Sequence, residues 1–186
     1  MAKQTTDDAI EYEGKLLLID PEQIMATIQS AGGRPVGDYT FRRYVFDTIP
    51  ATPNKWIRLR TNGQVATLTV KQISHDAIDG TSEWEVEVSD FDTTLTILKK
   101  GGLTPKGYQE NRRVEFALDG AMLSIDYWPQ LEPYLEIEAK DKETVETIAI
   151  QLGFRASDLV GYNTIKLYAK KGIDLDKISD LRFAEK

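Results

Sequence analysis

The sequence predicts an α+β fold in which about eight mostly antiparallel strands curl into a barrel, with helices outside and charge inside. Three observations lead there. Short strands carry carboxylates two residues apart, as in Glu11-Tyr12-Glu13, Glu85-Val86-Glu87 and Glu136-Ile137-Glu138. Successive strand side chains alternate faces, so each pair shares one side. Basic residues repeat at the same spacing: Lys15 in register with Glu11 and Glu13, Arg58 with Arg60, and Lys71 at the end of its strand. Asn62-Gly63 and Asp119-Gly120 lie between alternating runs, a hairpin signal. A flat, solvated polar face accounts for any one of these strands. At least six strands with mixed charges in matched positions are satisfied together by a curled sheet with a charged, water-filled interior.

The elements follow in order. An extended segment covers roughly residues 10 to 19, and a helix runs from about Pro21 to Ala31, capped by Asp20 and stopped by Gly32-Gly33. Ile24 and Ile28 supply its buried stripe. Strands are expected near residues 39–47, 56–61, 65–73 and 83–89, with a surface loop over 74–82. A threonine-rich helix opened by Asp92 extends to Lys100 and ends at Gly101-Gly102. Residues 112–118 and 122–128 flank the Asp119-Gly120 turn, and Pro129 and Pro133 bracket the connection into a strand at 134–139. A third helix, 142–152, follows Asp141, places Val145, Ile148, Ala149 and Leu152 on one face and stops at Gly153. Residues 162–171 read as weakly helical, with lysines at the end the helix dipole favours.

Composition narrows the class. A chain of 186 residues suits one domain, expected over residues 9–186 after a disordered segment at 1–8. With 41% hydrophobic and 28% charged residues it falls among ordinary soluble globular proteins. The longest aliphatic run, Leu16 to Ile19, is far below the ~20 residues of a membrane span, and residues 1–8 lack the apolar core of a signal peptide. Cytoplasmic residence is the default expectation. The absence of cysteine excludes disulfides, thiolate metal sites and cysteine nucleophiles. A net charge of -7 argues against an extended nucleic-acid surface while leaving room for a local basic pocket.

Carboxylates suited to a divalent metal, beside cations suited to a polyanion, point to phosphate chemistry. His75, the one histidine, sits in a polar loop with no triad around it. Gly101-Gly102 belongs to no phosphate-cradling glycine motif. Trp84 has the opposite parity to Glu85 and is expected in the core, whereas Trp56 and Trp128 share parity with Arg58 and Asp126 and are read as core or as tunnel-mouth residues.

With these residues assembled, the sequence resembles the CYTH superfamily of triphosphate tunnel metalloenzymes, which includes class IV adenylyl cyclases and thiamine and inorganic triphosphatases. The signature Glu-x-Glu-x-Lys strand reads Glu11-Tyr12-Glu13-Gly14-Lys15. The likeness continues through Phe46-Asp47-Thr48, Trp56 to Arg60, Lys71, Glu85 to Val88, Asn111-Arg112-Arg113, Ser124-Ile125-Asp126 and Leu135 to Glu138, about residues 10 to 170. The resemblance implies a closed antiparallel eight-stranded tunnel. It implies that Lys15, Arg58, Arg60, Lys71 and Arg112 hold phosphates, with Arg113 as an outward neighbour. By the same likeness Glu11, Glu13, Asp126, Glu136 and Glu138 are ligands for Mg2+ or Mn2+, and Lys15, Glu87 and Asp126 are catalytic, Glu85 being less securely tied to the acidic set. Many members have a lysine two residues before the arginine matched by Arg112, where this chain has Glu110. The implied activity is metal-dependent hydrolysis of an inorganic or organic triphosphate. The alternatives are cyclisation of ATP by a class IV adenylyl cyclase, a non-catalytic nucleotide or polyphosphate binding module, and a structural protein with solvated strands. The expected partners are a triphosphate or nucleoside triphosphate, with no extended nucleic acid and no membrane; a homodimer is left open.

Overall fold

The computed structural model describes residues 10–184. The expected disordered segment at 1–8 lies outside them. The strands are β1 (Ile10–Leu16), β2 (Arg34–Asp47), β3 (Lys55–Thr61), β4 (Ala66–Ile73), β5 (Thr81–Val88), β6 (Pro105–Leu118), β7 (Ala121–Tyr127), β8 (Tyr134–Ala139) and the two-residue β9 (Asp180–Leu181). The helices are α1 (Pro21–Ser30), α2 (Phe91–Lys100), α3 (Lys142–Gln151) and α4 (Thr164–Lys170). The sheet order is β2-β3-β4-β5-β1-β8-β7-β6, and a long β2–β6 pairing closes it into an eight-stranded antiparallel barrel. β9 adds to β6 in parallel beside Tyr108 and Gln109. No described helix is long and apolar enough to cross a membrane.

The barrel is built inside out relative to a sheet that packs its helices on one face and shows the other to water. Its apolar side chains point outward and are covered by helices. Leu16, Leu123, Ile125, Leu135 and Ile137 meet Ile24 and Ile28 of α1 and Val145, Ile148 and Ala149 of α3. Phe46 and Leu59 pack with Phe91 of α2, and Tyr44, Ile57 and Leu68 join them. A third cluster of Trp128, Tyr134, Leu167, Tyr168, Leu175 and Leu181 ties the C-terminal segment to one end of the barrel. Burying each large apolar side chain in these coats stabilises the fold by ~1.5–3 kcal/mol.

Two turns set hairpin registers. Asp119 and Gly120 both have positive φ (46° and 85°) in a two-residue turn that pairs Leu118 with Ala121 and therefore Arg113 with Asp126. Asn62-Gly63 instead belongs to a four-residue loop between Thr61 and Ala66, in which the Asn62 side chain accepts from Gln64 and Val65 N–H. Asp20 and Asp141 cap α1 and α3 as expected. The cap of α2 is Asp90, which accepts from Thr93 N–H at 2.6 Å, rather than Asp92, which lies inside the first turn. β2 and β6 are longer than the sequence suggests, at 14 residues each.

Candidate functional site

The barrel interior opens into a cavity of about 870 Å³. One wall, from β1, β4, β5 and β8, shares its lysines between carboxylates. Lys15 Nζ lies 3.2 Å from Glu13 and 2.9 Å from Glu136, and Lys71 Nζ lies 2.7 Å from Glu11 and 2.5 Å from Glu83. Glu13 and Glu138 are direct cross-strand partners, and Thr81 Oγ1 donates to Glu13 at 3.4 Å. Burial, then repulsion from Glu13, Glu83 and Glu138, outweighs Lys71 and lifts the Glu11 carboxyl to about 9. Glu83 goes the other way: against burial, Lys71 and Arg58 hold it near about 2. The two carboxyls share one lysine, so one keeps the charge while its neighbour keeps a proton. Burial and Glu136 also raise Glu138. Against the same burial cost, Lys15 and Arg113 hold Glu136 well below the usual carboxylate range.

The opposite wall, from β2, β3 and β6, gathers arginines. Arg58 Nη2 donates to Glu83 at 2.9 Å, to Glu85 at 3.1 Å and more weakly to Thr69 at 3.3 Å, and Thr69 donates in turn to Glu85 at 2.7 Å. Arg60 has only a 3.9 Å approach to Glu85 and lies over the Phe41 ring at 4.7 Å. Burial, then the neighbouring Arg58 and Arg113 charges, lowers Arg60 to about 10. Arg113 grips Asp126 with two bonds, Nε at 3.0 Å and Nη2 at 2.7 Å, and Nη2 also reaches Glu136 at 3.0 Å. The Nε donors of Arg58 and Arg43 are buried without partners.

Of the residues singled out from sequence, Glu11, Glu13, Lys15, Arg58, Arg60, Lys71, Glu136 and Glu138 all line this cavity. Others are placed differently. Arg112 is on the outer face, 45% exposed, bound through two N–H groups to Asp38 and stacked over Tyr127 at 4.9 Å; Arg113 is the inward residue. The Asp119-Gly120 register causes this, since the residue opposite inward-facing Asp126 is Arg113. Glu110 is outward as well, bonded by Tyr108 Oη at 2.8 Å and near Arg182 at 3.4 Å, so it does not oppose a phosphate. Glu87 is exposed opposite Thr67 and does not line the cavity; four residues earlier on the same face, Glu83 takes the place in the acidic set. Asp126 is fully buried behind Arg113, with Oδ1 accepting from Asn111 as well as from Arg113. Trp84, expected in the core, is half-buried and contributes to the cavity lining, with Lys55 Nζ 6.0 Å from its ring centre. Trp56 lines the cavity, and Trp128 is both buried and cavity-lining. His75 is an exposed loop residue beside Asp79.

Among the described residues, no three acidic or imidazole side chains converge closely enough to cage a cation. A magnesium-type ion does not need such a cage, because it takes one or two carboxylates and fills its other positions with water and phosphate oxygens. The all-oxygen donors of Glu11, Glu13 and Glu138, among which burial and then the neighbouring carboxylates raise Glu11, fit such an ion.

Fold and cavity together define a closed β-barrel whose charged interior pairs its cations with carboxylates and gathers its arginines on the β2–β3–β6 side. The chain belongs to the CYTH domain family, whose model matches residues 9–181. Among solved structures, the PH1012 protein of Pyrococcus horikoshii shares 22% identity at a TM-score of 0.73, covering 85% of this chain and 99% of that one. A Vibrio parahaemolyticus protein provisionally described as an adenylate cyclase shares 13% identity at a TM-score of 0.73, covering 86% and 98%. HpAC1 of Hippeastrum, provisionally an adenylyl cyclase and described as having a dominant triphosphatase activity, shares 18% at 0.62, covering 88% and 97%. At these identities the likeness is one of fold. No curated protein matches the sequence.

Proposed function

We propose that this chain is a divalent-metal-dependent phosphohydrolase that acts on a triphosphate-bearing substrate inside the barrel. The observation that carries the reading is the sorting of charge within one cavity: buried arginines with unfilled donors on one side, mutually repelling carboxylates on the other. Holding a polyanion needs the first and is harmed by the second, whereas phosphoryl transfer uses both. In this reading Arg58, Arg60 and Arg113 bind phosphoryl oxygens through their planar forks, and Lys71 and Lys15 act as point charges. Glu11, Glu13 and Glu138 would hold magnesium or manganese, which would supply neutralisation of the charge developing on the phosphoryl oxygens.

Asp126 and Glu136 then act as positioning residues, fixing Arg113 and Lys15 from behind rather than meeting substrate through an open coordination site. Lys71, shared between Glu11 and Glu83 in the free protein, is placed to turn toward phosphate on substrate entry, which would leave Glu11 available beside Glu13 and Glu138 as a metal ligand. Family membership supports the reading, as does the triphosphatase activity attributed to HpAC1. Cyclisation of ATP additionally needs a base pocket that aligns the ribose hydroxyl to within about 1 Å. The test is to incubate the protein with manganese and either inorganic triphosphate or ATP and to separate the products. Pyrophosphate and phosphate from inorganic triphosphate, at a rate at least equal to any conversion of ATP, is the expected result. Cyclic AMP and pyrophosphate from ATP, with triphosphate left intact, would establish the cyclase instead.

A further inference from the structure

Arg43 and Trp128 have no part in the assignments above. Arg43 on β2 stands directly opposite Arg60 on β3, and like charges in that relation are unfavourable unless something neutralises them. Arg43 is 7% exposed; its Nη2 donates to Asn111 Oδ1, and its guanidinium carbon lies 4.6 Å from the Trp128 ring centre. Trp128, 6% exposed, is held edge-on by Tyr168 at 6.5 Å. Both residues line the cavity, and both have a buried N–H donor without an acceptor: Arg43 Nε and Trp128 Nε1. Such orphans cost free energy and call for a water or a ligand. The charges facing Arg43 choose between these. The charges of Arg58, Arg60 and Arg113 press on it, and the opposing carboxylate of Asp126 is already engaged by Arg113 and Asn111. A neutral acceptor fills the donors but leaves the repulsion; a phosphoryl oxygen relieves both.

We propose that Arg43 Nε–H and Trp128 Nε1–H form an additional oxyanion subsite that receives a phosphoryl oxygen of the triphosphate. It rests on the reading that the cavity takes a triphosphate. Trp128→Phe keeps the ring and the stack while removing the donor, and Arg43→Lys keeps the charge while removing the Nε fork. Each variant is expected to weaken the Kd for inorganic triphosphate about tenfold by titration calorimetry, the effect of one hydrogen bond to a charged group. The ligand-free Trp128→Phe protein should melt no lower than the parent, because an unpaired buried donor has gone. In the 1H–15N spectrum of the parent, the indole signal that vanishes in Trp128→Phe should move downfield when triphosphate is added. A parent-like Kd in both variants, with that signal unmoved while the parent binds triphosphate, overturns the subsite and leaves the proposed function standing. Failure of the parent to bind triphosphate overturns both. Should Trp128→Phe not fold, Arg43→Lys and the parent's indole signal decide.

Discussion

The two walls of the cavity bury comparable charges in opposite ways. On the β1–β4–β5–β8 side each lysine sits between two carboxylates, so the network is nearly closed, and burial with the crowding of Glu13, Glu83 and Glu138 raises the Glu11 carboxyl to about 9. On the β2–β3–β6 side arginines crowd one another, and although Arg58 and Arg113 each bind two carboxylates, the Nε donors of Arg43 and Arg58 are buried without a partner. Closed buried networks fix geometry without adding much stability. An open one is a deficit that a ligand can fill. The comparison therefore assigns rigidity to the carboxylate–lysine wall and polyanion capture to the arginine wall.

The strongest way to break this assignment is to exchange neighbours on β6. Arg113→Ala strands fully buried Asp126 without its cation and should cost about 3–5 kcal/mol, lowering Tm by roughly 6–20 °C. Arg112→Ala removes only an exposed pair with Asp38 and should cost about 1 kcal/mol or less. Denaturant melts of the two variants check this, and equal costs would put the wrong arginine in the barrel. Next in size, Arg58→Ala should weaken triphosphate binding by about 2–5 kcal/mol, whereas Glu13→Gln or Glu138→Gln should abolish turnover and keep most of the binding. Calorimetry beside rate measurements separates the two groups.

A smaller effect reads the proton on the carboxylate wall. The folded Glu11 carboxyl, at about 9, lies above its unfolded value near 4.5. Its contribution to stability is thus complete below that unfolded value and is lost as pH rises through about 9. Glu11→Gln should therefore melt close to the parent at pH 5 and above it by pH 9.5. Divergence in the opposite sense would mean Glu11 is ionised in the free protein. Glu83 acts with the other sign, its contribution present above pH 4.5 and lost as pH falls toward about 2. The smallest effect belongs to Glu87→Gln, which should leave turnover unchanged and stability within about 0.5 kcal/mol.

Much of this contrast was legible in the sequence, because strand parity is a local property. The Glu-x-Glu-x-Lys, Arg-x-Arg and Glu-x-Glu strands place Glu11, Glu13, Lys15, Arg58, Arg60, Glu136 and Glu138 on one face from spacing alone, and the hairpins and apolar outer faces imply closure. What failed was register. Arg112 and Arg113 are adjacent, so a choice between them needs the partner strand; counting back from the Asp119-Gly120 turn to inward-facing Asp126 selects Arg113. Extending the same spacing rule two residues back from Glu85 finds Glu83. Arg43 had no such handle, since its neighbour Arg42 is equally basic and the β2–β6 seam joins residues about 70 positions apart. The parallel β9 and the short 3-10 turn at Leu175–Lys177 depend on packing at the barrel end, which no local periodicity reports.

The central claim is that arginines and carboxylates of one cavity act together on a metal-bound triphosphate, and thermal unfolding in inorganic triphosphate with magnesium or manganese tests it most directly. With the ligands a hundredfold above their dissociation constant, binding should stabilise the fold by about 2.7 kcal/mol. For a chain of 186 residues that is a rise of roughly 5–10 °C, larger with metal and triphosphate together than with either alone. No rise with either metal at saturating triphosphate would contradict the account.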